Sequence, residues 1–540
     1  MTVSRRTVLA GSVAGAAALG VGALALDAGE AAIPGTLGGA DFARGHRLRG
    51  GNFPAPTETQ RTDIAIVGGG VAGLSAAWAL ANAGVTDFRL LELEDHSGGN
   101  ARSGRNAVSA YPLGAHYLPI PNPEAKGILR LLEQLGILTG WQGGKPVFDP
   151  YAIVADPDER LLYLGKWRDG LVPDVGLTPQ DRHDVTAFFA AMEVFRTRRD
   201  SAGRPAFAIP MALSARDPDL LALDKLSFTQ WLDARGWHSP VLRGHVRYAC
   251  RDDYGTEPDQ VSAWAGVHYF AGRRGTAANA DRDAVLTWPE GNGYLVGRMG
   301  ARLKAHLDCG RIVHRVAPAN SGVVIDSLDV ARGIGVRLEA KAAILAMPHF
   351  VARHVVPEGT LEDGHFDYAP WIVANVTVDR PPAGEGTALA WDNVAWNSHS
   401  LGYVVATHQS LASVPGASVL TWYLPLSDMP PAEARRLMLD RSLEEWQHMV
   451  RDDLLGMNPD LAGAIRRIDV WRWGHAMIRP GPNFFWSGAR ERAGAPQPPL
   501  YFAHSDLSGL SLFEEAHYRG TVAAQAAMAQ FGISYADALT

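Results

Sequence analysis

The chain has 540 residues, 47% of them hydrophobic, which is enough for a large core and more than one domain. Its net charge of −7 comes without any basic block, so a nucleic-acid partner is not expected. The two cysteines, Cys250 and Cys309, form no CxxC or zinc spacing; no metal site is expected, and a disulfide or two buried thiols both fit the sequence.

Residues 1–32 read as a targeting segment. Ser4-Arg5-Arg6-Thr7-Val8-Leu9 matches the twin-arginine export signal, and a weakly hydrophobic Ala/Gly run follows from Val8 to Leu26. The expectation is passage of the folded protein through the twin-arginine export machinery to a periplasmic or other extracytoplasmic location. Cleavage after Ala25, cleavage after Ala32 and retention as a membrane anchor all stay open at this point. Residues 33–60, rich in Gly, Pro and Arg, read as an extended lead-in.

The run Ile64-Ala65-Ile66-Val67 predicts a buried parallel strand, and it leads straight into Gly68-Gly69-Gly70-Val71-Ala72-Gly73. A helix of small residues, Leu74 to Ala81, follows. In this strand–turn–helix setting the glycines have separate jobs. Gly68 permits the tight turn, Gly70 lets the backbone (with Ala72 in the same turn) approach a pyrophosphate, and Gly73 lets the helix pack close. The helix N-terminus offers N–H groups and partial positive charge to the phosphates. A second strand ends at Glu92, about 20 residues beyond the turn, where an acid accepts hydrogen bonds from ribose hydroxyls.

The continuation, Glu92-Leu93-Glu94-Asp95-His96-Ser97-Gly98-Gly99-Asn100-Ala101-Arg102, resembles the E-x5-GG-R segment of flavin amine oxidases, phytoene desaturases and protoporphyrinogen oxidases. The resemblance implies FAD, with Gly99 beside its pyrophosphate. Asn100 stands where that family has arginine, so Arg102 is expected to supply the cation. Gly114-Ala115-His116 resembles the loop beside the isoalloxazine ring, and His116 is a candidate flavin or substrate contact. Arg251 to Gly255 and Val261 to Trp264 resemble bacterial dehydrogenases of the spermidine dehydrogenase type. Trp288 to Leu295 and Ala342 to Pro348 resemble the turn and return strand of the second FAD segment, and the backbone of Val313 matches the adenine-pairing position. Pro499 to Asp506 resembles the final strand, placing Asp506 near the flavin ribityl or pyrophosphate. Phe513 to Ala524 resembles the closing helix, with Glu515 where glycine is usual.

The implied fold class is α/β (α+β): a Rossmann-type FAD-binding domain with an interleaved substrate-binding domain of mixed β-sheet and helices. The expected FAD domain is 61–120, 285–350 and 466–540; the expected substrate domain is 121–284 and 351–465. Helices are predicted over Gly127 to Leu138, Val185 to Arg198 and Ala432 to Leu455, and strands over 371–378, 401–406 and 419–424.

The expected chemistry is hydride removal from an amine C–H, with a polyamine as the favoured substrate, onto FAD. An isoprenoid or porphyrinogen desaturase and a non-catalytic FAD protein are the alternatives. Tyr403, Trp473 and His475 are the candidate catalytic residues; Asp252, Asp253, Glu290 and Asp392 are candidates to hold a distal ammonium. Many of the amine oxidases that this chain resembles carry a lysine shortly after the return strand that assists reaction with O2; no lysine follows Pro348 here, so the resemblance implies a quinone or cytochrome-like electron acceptor in preference to O2. No oligomeric state is predicted.

Overall fold

The computed structural model describes residues 32–361, 366–411 and 416–535, so the expected export segment lies outside the described residues up to position 31. In chain order, a short N-terminal segment holds β1 (Leu37–Gly39) and α1 (Phe42–His46). The first β-α-β unit is β2 (Pro56–Val67), α2 (Val71–Asn82) and β3 (Phe88–Leu91). The chain then passes through β4 (Glu159–Tyr163), β5 (Lys166–Asp169), α3 (Pro179–Thr197), α4 (Pro240–Tyr254) and α5 (Ala263–Ala271). It returns with β6 (Leu307–Asp308), β7 (Arg311–Ala319), β8 (Gly322–Asp329), β9 (Ile334–Leu345) and α6 (His349–Val355). A second excursion holds β10 (Tyr368–Val378), β11 (Asp392–Ala395), β12 (Tyr403–Val405), β13 (Ser418–Pro425), α7 (Pro431–Asp440), α8 (Leu443–Met457) and β14 (Ile465–Ile478). The chain closes with β15 (Leu500–Phe502) and α9 (Phe513–Ala529).

Two mixed sheets result. The first has the order β6-β3-β2-β9-β8-β7, with β15 beside the end of β9. β2 is parallel to both neighbours, Ile64 lying opposite Phe88 and Ala342. Flanked on both sides, its last four residues are all buried, which is why they read as an unbroken apolar run. The second sheet has the order β1-β14-β10-β13-β12-β11-β4-β5. Helices α3, α4 and α5 pack beside it around an aromatic core that includes Phe188, Phe228, Trp231, Trp264 and Phe270.

Three expectations change. β14, placed by sequence with the C-terminal FAD segment, belongs to the second sheet, because it hydrogen-bonds antiparallel to β10, Trp473 opposite Trp371. The single helix expected over 432–455 is two: α7 stops at Asp440, and Ser442 and Glu445 form a reciprocal capping box that starts α8. The lead-in 33–60 is not merely extended, since β1, α1 and the start of β2 lie in it. Cys250 and Cys309 are free thiols, and no described helix is long and apolar enough to cross a membrane.

Gly255 ends α4 in the left-handed conformation, with φ +55°. A Cβ there would lie 2.4 Å from Trp371 Nε1 and 2.6 Å from Ala369 Cβ, so only glycine lets the last turn of α4, with Asp252 and Asp253, seat against β10.

Candidate active site

A cavity of about 530 Å³ opens at the C-terminal ends of β3, β2 and β9 and runs on between the two sheets. Gly68, Gly70, Ala72, Glu92, Gly99, Arg102, Val313 and Asp506 all line it. Gly73 stands just behind the wall, where it seats α2 on the turn: its Cβ position lies 1.8 Å from Gly68 O.

The wall suits an adenine dinucleotide on its own chemistry. Helix α2 starts at Val71 behind Gly70 and helix α9 at Phe513 behind Leu512, both without a side-chain cap, and the first residues of both line the cavity, leaving first-turn N–H groups there for a ligand. Gly70 and Gly99 face each other so closely that a Cβ on Gly99 would lie 3.1 Å from Gly70 Cα, which leaves bare backbone for a phosphate to approach. Glu92 is fixed beside the turn by Gly69 N–H on Oε2 (2.6 Å) and Glu94 N–H on Oε1 (2.8 Å). Burial pushes its pKa up, and the donors of a ribose diol would favour the charged form. Arg102 is only partly available as the expected cation. Its Nη1 pairs with Glu94 Oε2 at 2.8 Å, while its buried Nε has no protein partner. Asn100 donates to Ala476 O at 2.7 Å. Among the described residues no group of three His, Cys, Asp or Glu could hold a metal.

Asp506 is committed to the protein through Oδ2, while its buried Oδ1 makes no hydrogen bond among the described residues. Its Oδ2 accepts from Tyr368 Oη (2.6 Å) and His349 N–H (2.8 Å), and His504 Nδ1 lies 3.0 Å from Oδ1. Burial pushes its pKa up, but those donors outweigh it and hold the carboxyl below the usual range. Asp506 thereby ties the starts of α6 and β10 to the C-terminal segment.

Two expected site residues point elsewhere. Glu515 is buried away from the cavity, Oε1 accepting from Met211 N–H at 2.5 Å; Glu514, one residue earlier, is the one on the wall. Burial pushes Glu514 up to about 7. One helix position is about 100° of rotation, so a register error of one exchanges wall for core. Tyr403 is not at the cavity. It is fully buried between β11, β13 and the core under α8; its hydroxyl accepts from Arg160 Nη2 (3.4 Å) and donates to Asn458 Oδ1 (3.2 Å). A Tyr403→Phe variant is therefore expected to keep its flavin and turnover while losing about 1–2 kcal/mol of stability, read from urea unfolding.

Trp473 and His475 do line the cavity. Trp473 Nε1 donates to Leu113 O at 2.5 Å and its ring lies under the Arg102 guanidinium, which locks it as wall. His475 stacks on Phe350 with centroids 4.2 Å apart. Burial, then Arg435 and Arg49, push its pKa down to about 4, so near neutral pH it is an uncharged and weak base.

Beyond the turn the cavity becomes aromatic, then acidic. His116 stacks on Tyr423 (4.6 Å), Trp371 meets Tyr423 at 6.3 Å, and all three line the wall. Burial pushes His116 down to about 4. At the far end Asp253 is neutralised by Arg273 Nη2 at 2.7 and 2.8 Å. Its neighbour Asp252 has no hydrogen bond or ion pair among the described residues, and burial followed by Asp253 pushes it up to about 7. Asp392, held by Tyr248 Oη at 3.2 Å, feels Asp252 and Glu159, and its pKa is driven well up by burial and by both. Glu159 is pushed up to about 7 in the same way. Glu290 is not part of this group; it lies 3.5 Å from Arg105. Sequence reasoning missed Glu159, Trp371 and Glu514. Glu159 carries no local signal, because it reaches this cluster only through the parallel pairing of β4 with β11, Glu159 opposite Asp392.

Among curated proteins, amine oxidase [flavin-containing] B of Sus scrofa is 29% identical over 332 residues, 60% of this chain and 56% of that protein. Amine oxidase [flavin-containing] A of Canis lupus familiaris is 26% identical over 273 residues, 49% of this chain and 47% of its own length. The matched part thus spans about half the length of these relatives. Among solved structures, a putrescine oxidase with putrescine bound superposes with a TM-score of 0.63 at 16% identity, covering 87% of this chain and 100% of that one. Cyclohexylamine oxidase of Brevibacterium oxydans gives 0.61 at 16% identity, with 87% and 99% covered; both share the fold. The family model described as flavin containing amine oxidoreductase matches residues 71–528, most of the chain. With the glycine turn, the fixed Glu92 and two open helix N-termini around one cavity, the chain belongs to the flavin-containing amine oxidoreductases, and its cofactor is FAD.

Proposed function

We propose that this protein oxidises a diamine or polyamine. The observation that carries the reading is Asp252: a carboxylate on the cavity wall with no cationic partner of its own, beyond a belt of aromatic rings. An ammonium of the substrate would supply the missing charge, drawing on Asp392 and Glu159 behind it. The amine that reacts would sit among Tyr423, His116 and Trp371. Aromatic faces hold a cation at roughly 0.5–2 kcal/mol each, and burial lowers an ammonium pKa towards the neutral amine that can give up hydride. Held along the glycine turn, FAD would supply the hydride acceptor for the C–H beside that nitrogen, and water would hydrolyse the imine product. His116 and His475, both pushed to about 4, take part as neutral polar walls. The charged far end also argues against a wholly apolar isoprenoid substrate.

The absence of lysine after Pro348 supports transfer of the electrons to a quinone or cytochrome-like acceptor rather than O2. The residues Ser4 to Leu9 support export of the folded, loaded protein by the twin-arginine route. Turnover with an artificial electron acceptor, over a panel of putrescine, spermidine, aromatic monoamines and an isoprenoid, tests the substrate reading. Diamines and polyamines should lead; a best substrate without a second amine would overturn it.

A further inference from the structure

The N-terminal segment 33–55 lies outside the family-matched residues 71–528, yet it lines the cofactor cavity through Gly39 to Phe42, Gly45, His46, Leu48 and Arg49. It is anchored on both sides of the glycine turn. On one side Asp41 N–H donates to Glu94 Oε1 (3.0 Å), and Arg44 Nη1 donates to Leu93 O (3.0 Å) and Asp95 Oδ1 (2.8 Å), all in the loop that follows β3 and Glu92. On the other, Leu48 packs on the core containing Val67, Leu91 and Val313, and Phe53 stacks on His314 of β7 at 4.1 Å. β1 adds a third hold by pairing with β14 of the second sheet, Gly38 opposite Trp471. Since β2 lies between β3 and β9, a segment running from the end of β3 towards β7 and α6 crosses over the turn where the dinucleotide is expected.

The charges on this side are unusual. His46 and Arg49 of the segment and His354 of α6 line the cavity with no ion pair among the described residues. Arg435 of α7 joins them, bonded only to Tyr368 O at 3.0 Å. Arg49 and Arg435 bring positive charge, and His46 and His354, whose pKa values burial and then Arg49 push down, bring uncharged rings, to a site whose expected arginine is Asn100 and whose Arg102 is half spent on Glu94.

We propose that residues 33–55 are part of the FAD site: a clasp over the dinucleotide whose Arg49 supplies the cationic contact to its diphosphate that Asn100 cannot, with His46 and His354 as hydrogen-bonding neighbours beside it. This rests on the family's cofactor and not on the amine reading.

The test is FAD retention by the purified, loaded, full-length protein. Release is followed as the rise in free-flavin fluorescence, beside thermal unfolding of loaded and stripped forms. Arg49→Ala removes the exposed cation and Arg44→Ala the anchor. Each is expected to speed release at least fivefold and to bring the melting temperature of the loaded form closer to that of the stripped form; Arg49→Ala should leave the stripped form unchanged. Release from the unmodified protein should accelerate with salt, and Arg49→Ala should flatten that dependence. Arg61→Ala, an exposed arginine of β2 off the cavity wall, is the control. Unchanged release in both variants would overturn the proposal. So would equal acceleration by Arg61→Ala, or faster release by Arg49→Ala matched by an equal loss of stability in the stripped form. Bleaching by amines is measured on the same preparations; its failure would strike the substrate reading and leave the clasp standing.

Discussion

Gly73→Ala is expected to give a protein that has lost more than nine-tenths of its bound flavin. The new methyl would lie 1.8 Å from Gly68 O and 3.3 Å from Ala346 Cβ. Neither the carbonyl of the turn nor the buried start of α2 can yield that much, so the helix must lift and its first-turn N–H groups leave their aim. Overpacking of this kind costs about 1–3 kcal/mol, and here it falls on the geometry that faces the phosphates. Gly520→Ala tests the same contact from the opposite helix: a Cβ there would lie 2.1 Å from Ala72 O, where α9 crosses α2. The ratio of flavin to protein absorbance, with circular dichroism to show that the chain has folded, reads both variants. A fully yellow Gly73→Ala protein would show that the turn does not carry the cofactor.

Asp252→Asn is expected to lower kcat/KM for a diamine about 30-fold, equivalent to about 2 kcal/mol, while a monoamine of similar length changes less than about threefold. The sign of the pH effect follows from the same group. Burial and Asp253 raise Asp252 to about 7, and burial with the neighbouring acids raises Glu159 to about 7. Facing them are Asp392, Tyr117, Tyr248 and Tyr269, with Arg273, already held by Asp253, as the neighbouring cation. Below pH 7 these two carboxyls are mostly protonated, and an incoming ammonium must displace a proton to gain its partner. The preference for diamine over monoamine should therefore grow as pH rises from 6 to 8. The comparison cancels the deprotonation of the reacting amine, which both substrates share. Asp252→Asn should flatten that rise. A diamine preference that is pH-independent, or unmoved by the substitution, would remove Asp252 from the substrate site.

What was legible in the sequence was local. The strand, glycine turn and Glu92 sit within about 30 residues, and each needs its residue type for a backbone reason that spacing alone displays. Val313 and Asp506 were reachable because their segments match a family pattern. The rest depends on contacts between distant segments. Asp252, Asp392 and Glu159 come from α4, β11 and β4, and only the pairing of β11 with β4 brings the last two together. Tyr403 looked like a site residue because an aromatic strand carries the same composition on either face; its hydroxyl turned out to satisfy Arg160 and Asn458 in the core. Glu515 was one residue out, since the helix starts at Phe513 behind an uncapped leucine that gives no sequence signal. The lead-in hid its role because glycine and arginine content describes a loop without saying what the loop crosses. Asp41, which caps α1 by accepting from Arg44 N–H at 2.9 Å, was the one local clue that it is ordered.

The most direct measurement is the visible spectrum of the purified protein under anaerobic conditions, before and after addition of putrescine or spermidine. We expect a yellow protein whose flavin band is bleached by the amine and restored by an artificial electron acceptor. A band that dithionite bleaches but every diamine and polyamine leaves intact would contradict amine oxidation at this site.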